Sequence, residues 1–434
     1  MKSAAISPER LWIIRDHAVV ADLERNARNE LTLRYRAEVI ETTRDRPVIS
    51  VSLPVRDEPY DDAQVATFFD GLLPEGVVRE RLATRFRLDP TDVFGMLREF
   101  GRDCAGALSI VPEGADLAAQ ERDVQWLDDA ALAQRIAELD ERPLADEPAQ
   151  DIRISLAGAQ RKMAVIVEGQ RIGLPRGTTP STHILKPASE ERRGPRRDRL
   201  TYPSLVANEA FCMAVARRAG LSAANVSVRE VDGNTALLIA RYDRTNAEGE
   251  IIRIHQEDFC QALGAPSRLK YEKDGGPSAR NYLDLVRRWS ADVLADQNEL
   301  LDRIAFNYLI GNADAHAKNF SLLHTNEGIR LAPAYDLLST FAYPHLSREM
   351  ATAINGIFES RALQPVHWHK WFNQLEVSAR LYSERYAALA DRVAKAVPDA
   401  RGDMQAWNLG NGVLDATVAL INERAETMSV IAQI

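Results

Sequence analysis

The spacing of the apolar residues changes near Ile254, and this change constrains the fold more than any other feature of the sequence. Before it, short runs of β-forming residues alternate with turn residues, as in residues 31–35 and 48–54. After it, apolar residues recur at helical spacing, as in residues 297–310. Because strands come first and helices second, the sequence predicts an α+β protein with a β-rich half and an α-rich half.

The composition argues against several classes of protein. Of the 434 residues, 45% are apolar and 27% are charged, as in ordinary globular proteins, and the length allows more than one domain. The net charge of −9 argues against a protein that coats nucleic acid by itself. Cys104, Cys212 and Cys260 lie far apart without a C-x-x-C pair, so neither a disulfide framework nor a zinc site is indicated. Since no apolar run approaches the ~20 residues of a spanning helix and no signal-like segment opens the chain, we expect a cytoplasmic protein without membrane contact.

An acidic stretch with two prolines, Pro143 and Pro148, follows Pro112 and marks a boundary in the chain. We predict an N-terminal β-rich domain over residues 1–112 and an acidic linker with one short helix over 113–150. A β-rich lobe is predicted over residues 151–245 and an α-helical lobe over 246–434. The first helix of that last lobe is predicted over residues 256–263.

The densest group of polar residues lies in residues 311–320, between an apolar helix and a predicted strand. Phosphoryl transfer to a hydroxyl needs a carboxylate near the attacking oxygen and oxygen ligands for Mg²⁺, and protein kinases supply them with Asp, four residues, then Asn. Asp314 and Asn319 have this spacing, and Asp336, after Tyr335, supplies a second carboxylate. The segment is therefore typical of a phosphoryl-transfer site.

Ordinary alternatives exist for each of these residues. An Asp and an Asn at this spacing recur by chance, and Asp336 alone would more often form a turn than bind a metal. Lys318 could steady a transferred phosphate, and His316 could brace the loop by hydrogen bonds. His316 could equally be a structural histidine.

Two features earlier in the chain favour the phosphoryl-transfer interpretation. Residues 155–162 form a turn of small side chains whose backbone N–H groups could approach phosphate oxygens, although a plain hairpin turn is an alternative. Lys186 ends a predicted strand, as the nucleotide-binding lysine of kinases does. Glu209, in the next predicted helix, is its natural ion-pair partner, unless it belongs to a solvated face. Residues 240–242 join the last strand to the helical half, where they form either a hinge that contacts adenine or an interdomain turn.

Several segments together resemble those of the HipA-type Ser/Thr kinases, and they extend over nearly the whole chain. These segments are residues 52–54, 69–75, 101–103, 155–162, 182–186, 256–258, 314–319 and 335–336. The resemblance implies a bilobal protein-kinase-like fold with an appended N-terminal β-rich domain. Residues 1–112 would be that domain, 151–245 the kinase N-lobe and 246–434 the C-lobe with the catalytic loop.

The resemblance also implies roles for individual residues. Asp314 would be the catalytic base, Asn319 and Asp336 the Mg²⁺ ligands, and Lys186, paired with Glu209, the lysine that binds the ATP phosphates. The phosphate loop would be formed by Ala157, Gly158, Ala159, Gln160, Arg161 and Lys162. Other ATP-binding residues would be Ala240, Arg241, Tyr242, His316, Lys318 and Tyr335, in addition to Asn319 and Asp336. Ser155 would be the site of inhibitory self-phosphorylation, since a phosphate of about −1.5 to −2 charge could not remain beside ATP.

By the same resemblance, the chain would be the toxin of a toxin–antitoxin pair with a part in persistence. A helix-turn-helix antitoxin of the HipB type would bind it, operator DNA would be a partner only through the antitoxin complex, and an aminoacyl-tRNA synthetase would be the phosphorylated substrate. Two other functions stay open, a small-molecule or lipid kinase with the same loop and an inactive antitoxin-binding module. The presence of Asp314, Asn319, Asp336 and Lys186 together argues against the inactive module.

Overall fold

The fold is described from a computed structural model. It covers residues 9–116, 122–141, 162–188, 204–247, 249–409 and 412–433.

Strands predominate in the first part of the described chain and shorter strand pairs follow later. They are β1 (Glu9–Arg15), β2 (Ala18–Arg25), β3 (Leu31–Tyr35), β4 (Ser109–Pro112), β5 (Arg122–Leu127), β6 (Met163–Glu168), β7 (Arg171–Gly177), β8 (His183–Pro187), β9 (Val226–Val231), β10 (Asn234–Ala240), β11 (Arg244–Ala247), β12 (Glu250–Arg253), β13 (His255–Asp258), β14 (Ser321–Thr325), β15 (Gly328–Leu331), β16 (Glu349–Ile354) and β17 (Ile357–Glu359).

The longer helices belong to the C-terminal half, as the apolar spacing predicts. The helices are α1 (Ala37–Thr43), α2 (Asp62–Asp70), α3 (Gly76–Phe86), α4 (Val93–Phe100), α5 (Asp129–Glu141), α6 (Leu205–Arg218), α7 (Phe259–Leu263), α8 (Ala279–Trp289), α9 (Val293–Ile310), α10 (Pro365–Gln374), α11 (Ala379–Ala406) and α12 (Gly412–Ser429).

The chain divides into two compact units that each combine separated segments. Unit 1 comprises Met1–Leu185, Asp243–Arg268 and Leu322–Asn326. Unit 2 comprises Lys186–Tyr242, Leu269–Ser321 and Glu327–Ile434. The domain boundaries given by the sequence stay predictions.

The N-terminal part of unit 1 is an antiparallel sheet in the order β3-β2-β1-β4 with helices packed on it. Leu11 pairs with Leu23 and Ile13 with Ala21, so apolar residues line one face of the sheet. That face is buried with Phe68 and other apolar residues of α2 and α4. In the same unit, β5 of the predicted acidic linker pairs with β7, which also pairs with β6.

The predicted strand over residues 48–54 is wrong. This segment forms only an isolated bridge between Ser50 and Leu53, because its polar groups bond elsewhere. The carboxylate of Glu257 accepts hydrogen bonds from the Ser50 hydroxyl at 2.5 Å and from the Val51 N–H at 3.0 Å. The Glu257 side chain thus supplies hydrogen-bond acceptors that a neighbouring strand would otherwise supply.

The predicted helix over residues 256–263 begins three residues later, at Phe259. Asp258 accepts the Gln261 N–H at 2.9 Å and the Gln261 side chain accepts the Asp258 N–H at 3.0 Å, which is a capping box. Gln256 and Glu257 precede this cap and belong to strand β13.

Unit 2 is built around buried helices. In α6, eleven consecutive residues from Val206 to Ala216 are buried, and α9 and α11 contribute further apolar side chains such as Phe306 and Tyr386. The hairpin of β9 and β10 belongs to this unit, and the Ala188 N–H, directly after β8, bonds the Thr235 carbonyl of β10 at 2.8 Å. Among the helices of the described chain, none is both long and apolar enough to cross a membrane.

His255 lies in a buried polar cluster of unit 1. Its Nε2 lies 2.8 Å from the Ile49 carbonyl, which can only accept, and its Nδ1 accepts the Ala107 N–H at 3.4 Å. These partners fit the neutral ring with its proton on Nε2. Burial, and after it the nearby His324 ring at 4.8 Å, keeps the pKa of His255 well below the ordinary histidine value.

We predict that His255 makes the stability of the protein fall in mild acid. Below about pH 6.5 the unfolded chain binds a proton that folded His255 does not, so stability decreases as the pH falls, by up to about 1.4 kcal/mol per pH unit. Urea unfolding at several pH values between 7.5 and 5.5 measures this slope. His255→Gln should flatten it, whereas His345→Gln, at an exposed position, should keep the wild-type slope. Equal slopes for wild type and His255→Gln would contradict the assignment.

Candidate active site

Most residues of the predicted site lie in unit 2. They are Lys186, Glu209, Ala240, Arg241, Tyr242, Asp314, His316, Lys318, Asn319, Tyr335 and Asp336. Lys162 is half-buried and belongs to unit 1. Ser155, Ala157, Gly158, Ala159, Gln160 and Arg161 lie outside the described residues.

Lys186, near the end of β8, is the centre of a buried ion cluster. Its ammonium group donates to both carboxylate oxygens of Glu209, at 2.8 and 2.9 Å, and to Oδ1 of Asp336 at 2.7 Å. Lys186 is 4% exposed and Glu209 1% exposed. The buried Glu209 carboxylate of α6 is thus paired with the buried ammonium group of Lys186.

The surroundings of Lys186 favour its charged form. Burial alone would lower the pKa of Lys186. The attraction of the Asp336 and Glu209 carboxylates is larger than this effect of burial, and it raises the pKa of Lys186 above the ordinary lysine value. The three side chains together carry two negative charges and one positive charge. Lys186 can bind a phosphate oxygen if its ammonium group exchanges the bond to Asp336 for it, and the Asp336 carboxylate, whose side chain is 35% exposed, can then bind a cation.

The backbone around Asp336 is held in an uncommon conformation. Asp336 has a φ of +57°, in the left-handed region, which costs a non-glycine residue on the order of 1–3 kcal/mol. The following segment is anchored by Asn208, whose side chain donates to the Ser339 carbonyl at 2.9 Å and accepts the Ser339 N–H at 2.8 Å. Since Asn208 precedes Glu209 in α6, one helix fixes both the partner of Lys186 and the segment that carries Asp336.

The loop that carries Asp314 begins where α9 ends. Gly311 follows the helix with a φ of +69°, and its N–H bonds the carbonyls of the last turn. A Cβ atom at this position would lie 2.5 Å from Cδ2 of Leu420 and 3.0 Å from Cβ of Phe341. Both the left-handed backbone and the limited space therefore favour glycine at this position.

Buried polar side chains hold the backbone that leads into Asp314. Oδ1 of Asn312 accepts the Asp314 N–H at 3.1 Å, and the Asn312 amide donates to Asn307 in α9 at 3.0 Å. The Thr340 hydroxyl accepts the Ala313 N–H at 2.8 Å and donates to the Gly311 carbonyl at 3.1 Å. These hydrogen bonds restrain the backbone conformation of residues 311–314.

Asn319 and His316 lie against Asp314. The Asn319 amide donates through Nδ2 to the Asp314 carbonyl at 2.8 Å, so its Oδ1 is the atom that could bind a cation. Nε2 of His316 lies 3.9 Å from Oδ1 of Asp314, and the His316 N–H bonds the Asp314 carbonyl at 2.8 Å. The Asp314 side chain is 48% exposed and can therefore meet an incoming group.

Tyr335 connects the Asp314 loop with the predicted hinge. Its hydroxyl donates to the Lys318 carbonyl at 2.7 Å and lies 2.7 Å from the hydroxyl of Ser321. Its ring stacks on that of Tyr242, with centroids 5.7 Å apart and an angle of 29° between the planes. An aromatic pair next to a lysine and carboxylates offers an apolar surface on which a planar base can pack.

Sequence reasoning missed several residues that shape this site, above all Asn208, Asn312, Thr340 and Tyr271. Tyr271 donates a hydrogen bond through its hydroxyl to the carboxylate of Asp314. A signal for Asn208 existed, because Asn208 and Glu209 interrupt an otherwise apolar helix. A signal for Tyr271 also existed, since a Gly-Gly pair follows it and marks a constrained loop.

Comparison with known proteins places the chain in a family. The model of the HipA-like C-terminal domain matches residues 154–401, and that of the HipA N-terminal domain matches residues 11–111. The chain belongs to the HipA family. The resemblance seen in the sequence is thereby confirmed, and it includes the N-terminal domain.

Individual relatives and a solved structure agree with this placement. The protein Y4mE of Sinorhizobium fredii is 36% identical over 387 residues, which cover 88% of this chain and 89% of that protein. The serine/threonine-protein kinase toxin HipA of Shewanella oneidensis is 30% identical over 364 residues, covering 81% and 80% of the two chains. The solved structure of the S. oneidensis HipA, HipB and operator DNA complex aligns with a TM-score of 0.81 at 24% identity over 98% of this chain and 99% of that chain. The predicted α+β, HipA-like fold is confirmed.

We predict that Gly311→Ala destabilises the protein by about 1–3 kcal/mol, because the methyl group collides with Leu420 and the backbone is left-handed. Gly402→Ala is the matched control, since Gly402 is exposed in α11 and a Cβ there meets nothing within 4 Å. It should stabilise the protein by about 0.5–1 kcal/mol. Chemical denaturation measures both free energies of unfolding. Equal effects of the two substitutions would refute this account of the loop.

Proposed function

We propose that this protein is an ATP-dependent Ser/Thr protein kinase and the toxin of a toxin–antitoxin pair that acts in the cytoplasm. The observation that carries the proposal is the hydrogen-bonded cluster of Lys186, Glu209 and Asp336, at 2.7 to 2.9 Å. The same unit also contains the loop of Asp314 and Asn319, in which the Asn319 amide donates to the Asp314 carbonyl. A lysine paired with a helix glutamate, together with such a loop, is the set of side chains that protein kinases use.

Each side chain then has a chemical role. Lys186 neutralises phosphate oxygens of ATP, and Glu209 holds the ammonium group in place from α6. Asp314 accepts, or orients, the proton of the acceptor hydroxyl. Because the transition state of phosphoryl transfer is loose, these residues accelerate it mainly by positioning the reactants and by neutralising charge.

The residues of the site fit Mg²⁺, which prefers oxygen ligands. Asp336 supplies a carboxylate, and Asn319 supplies an amide oxygen because its nitrogen already donates to the Asp314 carbonyl. When bound with ATP, Mg²⁺ would neutralise charge on the phosphate oxygens. Lys318 and His316 then adjoin the nucleotide, and the ring pair of Tyr242 and Tyr335 packs against the base, with Ala240 and Arg241 as backbone contacts.

Further roles follow from membership of the HipA family. Residues 157–162 form the phosphate loop, and Ser155 is phosphorylated by the enzyme itself. The acceptor is an aminoacyl-tRNA synthetase, whose modification halts translation. A helix-turn-helix antitoxin of the HipB type binds the chain, and operator DNA is a partner only through this antitoxin complex, in line with the S. oneidensis HipA structure, which was solved with HipB and operator DNA.

We predict that Asp314→Ala lowers transfer of labelled phosphate from ATP to protein by at least about a hundredfold, because the acceptor hydroxyl loses its orienting carboxylate. Asp391→Ala, which removes an exposed carboxylate of α11, is the matched control and should keep wild-type activity. Gel autoradiography after incubation with Mg²⁺·ATP measures the transfer. Wild-type labelling by Asp314→Ala would exclude Asp314 as the base.

The acceptor is identified by adding purified aminoacyl-tRNA synthetases one at a time to the same reaction. We expect one synthetase to be labelled on Ser or Thr, and a peptide that contains Ser155 to be labelled in the kinase. Labelling of small molecules or lipids in a cell extract, with no labelled protein, would instead indicate the rival small-molecule or lipid kinase. Absence of ATP turnover despite antitoxin binding would indicate an inactive binding module.

A further inference from the structure

Tyr271 lies in a short loop before α8, and its hydroxyl donates a hydrogen bond to Oδ1 of Asp314. Its ring also meets the ring of His316 edge to face, with centroids 5.1 Å apart and planes at 90°. Tyr271 thus contacts the side chains of both Asp314 and His316. It is 43 residues away from Asp314 in the sequence.

The backbone of the Tyr271 loop is tied to the Asp314 loop and to itself. The Ala317 N–H bonds the Lys270 carbonyl at 3.1 Å, next to Tyr271. The Tyr271 carbonyl accepts the N–H groups of Asp274 at 3.1 Å and Gly276 at 3.0 Å, which closes a tight turn. The backbone of Tyr271 therefore cannot move away from the Asp314 loop without breaking these hydrogen bonds.

Two glycines make this turn possible. Gly275 has a φ of +89°, and a Cβ atom at Gly276 would lie 1.8 Å from the Leu269 carbonyl oxygen. The adjacent Glu272 carboxylate accepts the Ala353 N–H of β16 at 2.8 Å, and Lys273 pairs with Glu349 of the same strand at 2.8 Å. The loop is thus anchored on two sides, by β16 and by the Asp314 loop.

We propose that Tyr271 is a positioning residue for phosphoryl transfer, which fixes the Asp314 carboxylate so that it can orient the acceptor hydroxyl. This inference rests on the proposed kinase function. Since the side chain of Asp314 is 48% exposed with Tyr271 bound to it, the acceptor can reach the carboxylate without displacing the tyrosine. A carboxylate held by a fixed donor has fewer rotamers available, and misplacement by about 1 Å can cost a hundredfold in rate.

The opposite role would be that of a competitor, in which the Tyr271 hydroxyl occupies the place of the acceptor and must leave before transfer. The contacts of the side chain argue against this role, because leaving would break the bond to Asp314 and the ring contact with His316, while the anchored backbone keeps Tyr271 beside both residues. The two roles predict opposite effects of removing the hydroxyl. A positioning residue makes the reaction slower when its hydroxyl is lost, and a competitor makes it faster.

The test compares full-length wild type with Tyr271→Phe, Asp314→Ala and the double variant. Tyr382→Phe is the matched control, since the Tyr382 hydroxyl bonds Asn298 and Gln297 between α11 and α9. Self-labelling with radiolabelled ATP gives the initial rate at saturating ATP and the ATP concentration at half-maximal rate. We expect Tyr271→Phe to lower the saturating rate about 10- to 100-fold and to change the half-saturating ATP concentration less than about threefold. Tyr382→Phe should behave as wild type.

The double variant separates positioning from a general structural role. If Tyr271 acts through Asp314, adding Tyr271→Phe to Asp314→Ala should lower the residual rate no further. Three results would overturn this inference and leave the proposed kinase function intact. The first is that Tyr271→Phe lowers the saturating rate by the same factor in the wild-type and Asp314→Ala backgrounds. The others are a wild-type rate for Tyr271→Phe when Asp314→Ala is inactive, and a rate for Tyr271→Phe above that of wild type. A wild-type rate for Asp314→Ala would overturn the proposed base and the inference with it.

Discussion

The charge of Lys186 is the constraint around which unit 2 is organised. An ammonium group that is 4% exposed would cost several kcal/mol if it had no partners, so the fold must bring carboxylates to it. Glu209 comes from the buried helix α6, and Asp336 comes from the segment after β15. Once both are bound to Lys186, these three segments are fixed relative to one another within the unit.

The remaining parts of the site are held in place by buried polar side chains that bond to the backbone. Asn208 holds the segment after Asp336, while Asn312 and Thr340 hold the loop before and around Asp314. Each such bond satisfies a loop backbone group that takes no part in the hydrogen-bond pattern of a helix or strand. Each contributes about 1 kcal/mol to stability. The irregular path of the loops is thus set by side chains, and a residue such as Asp336 can stay in a left-handed conformation.

The sequence predicted the parts of the site that depend on local order along the chain. The order and spacing of residues along the chain pointed to Lys186 at the end of a strand, Glu209 in the next helix, and Asp314 five residues before Asn319. The structure brings Lys186, Glu209 and Asp336 together. The order of strands and helices was also readable. What could not be read were bonds between distant segments, such as Asn208 with Ser339, 131 residues apart, or Glu257 with Ser50, 207 residues apart. Periodicity carries no information on such pairs, and for this reason the sequence wrongly predicts a strand over residues 48–54.

The central claim is that Asn319 and Asp336 bind the divalent cation that accompanies ATP, beside Lys186. Anomalous diffraction from crystals grown with Mn²⁺ and a non-hydrolysable ATP analogue tests it most directly. The account predicts a metal peak about 2.0–2.4 Å from a carboxylate oxygen of Asp336 and from Oδ1 of Asn319, with Lys186 in contact with a phosphate oxygen. A nucleotide-bound metal peak away from both residues would contradict it.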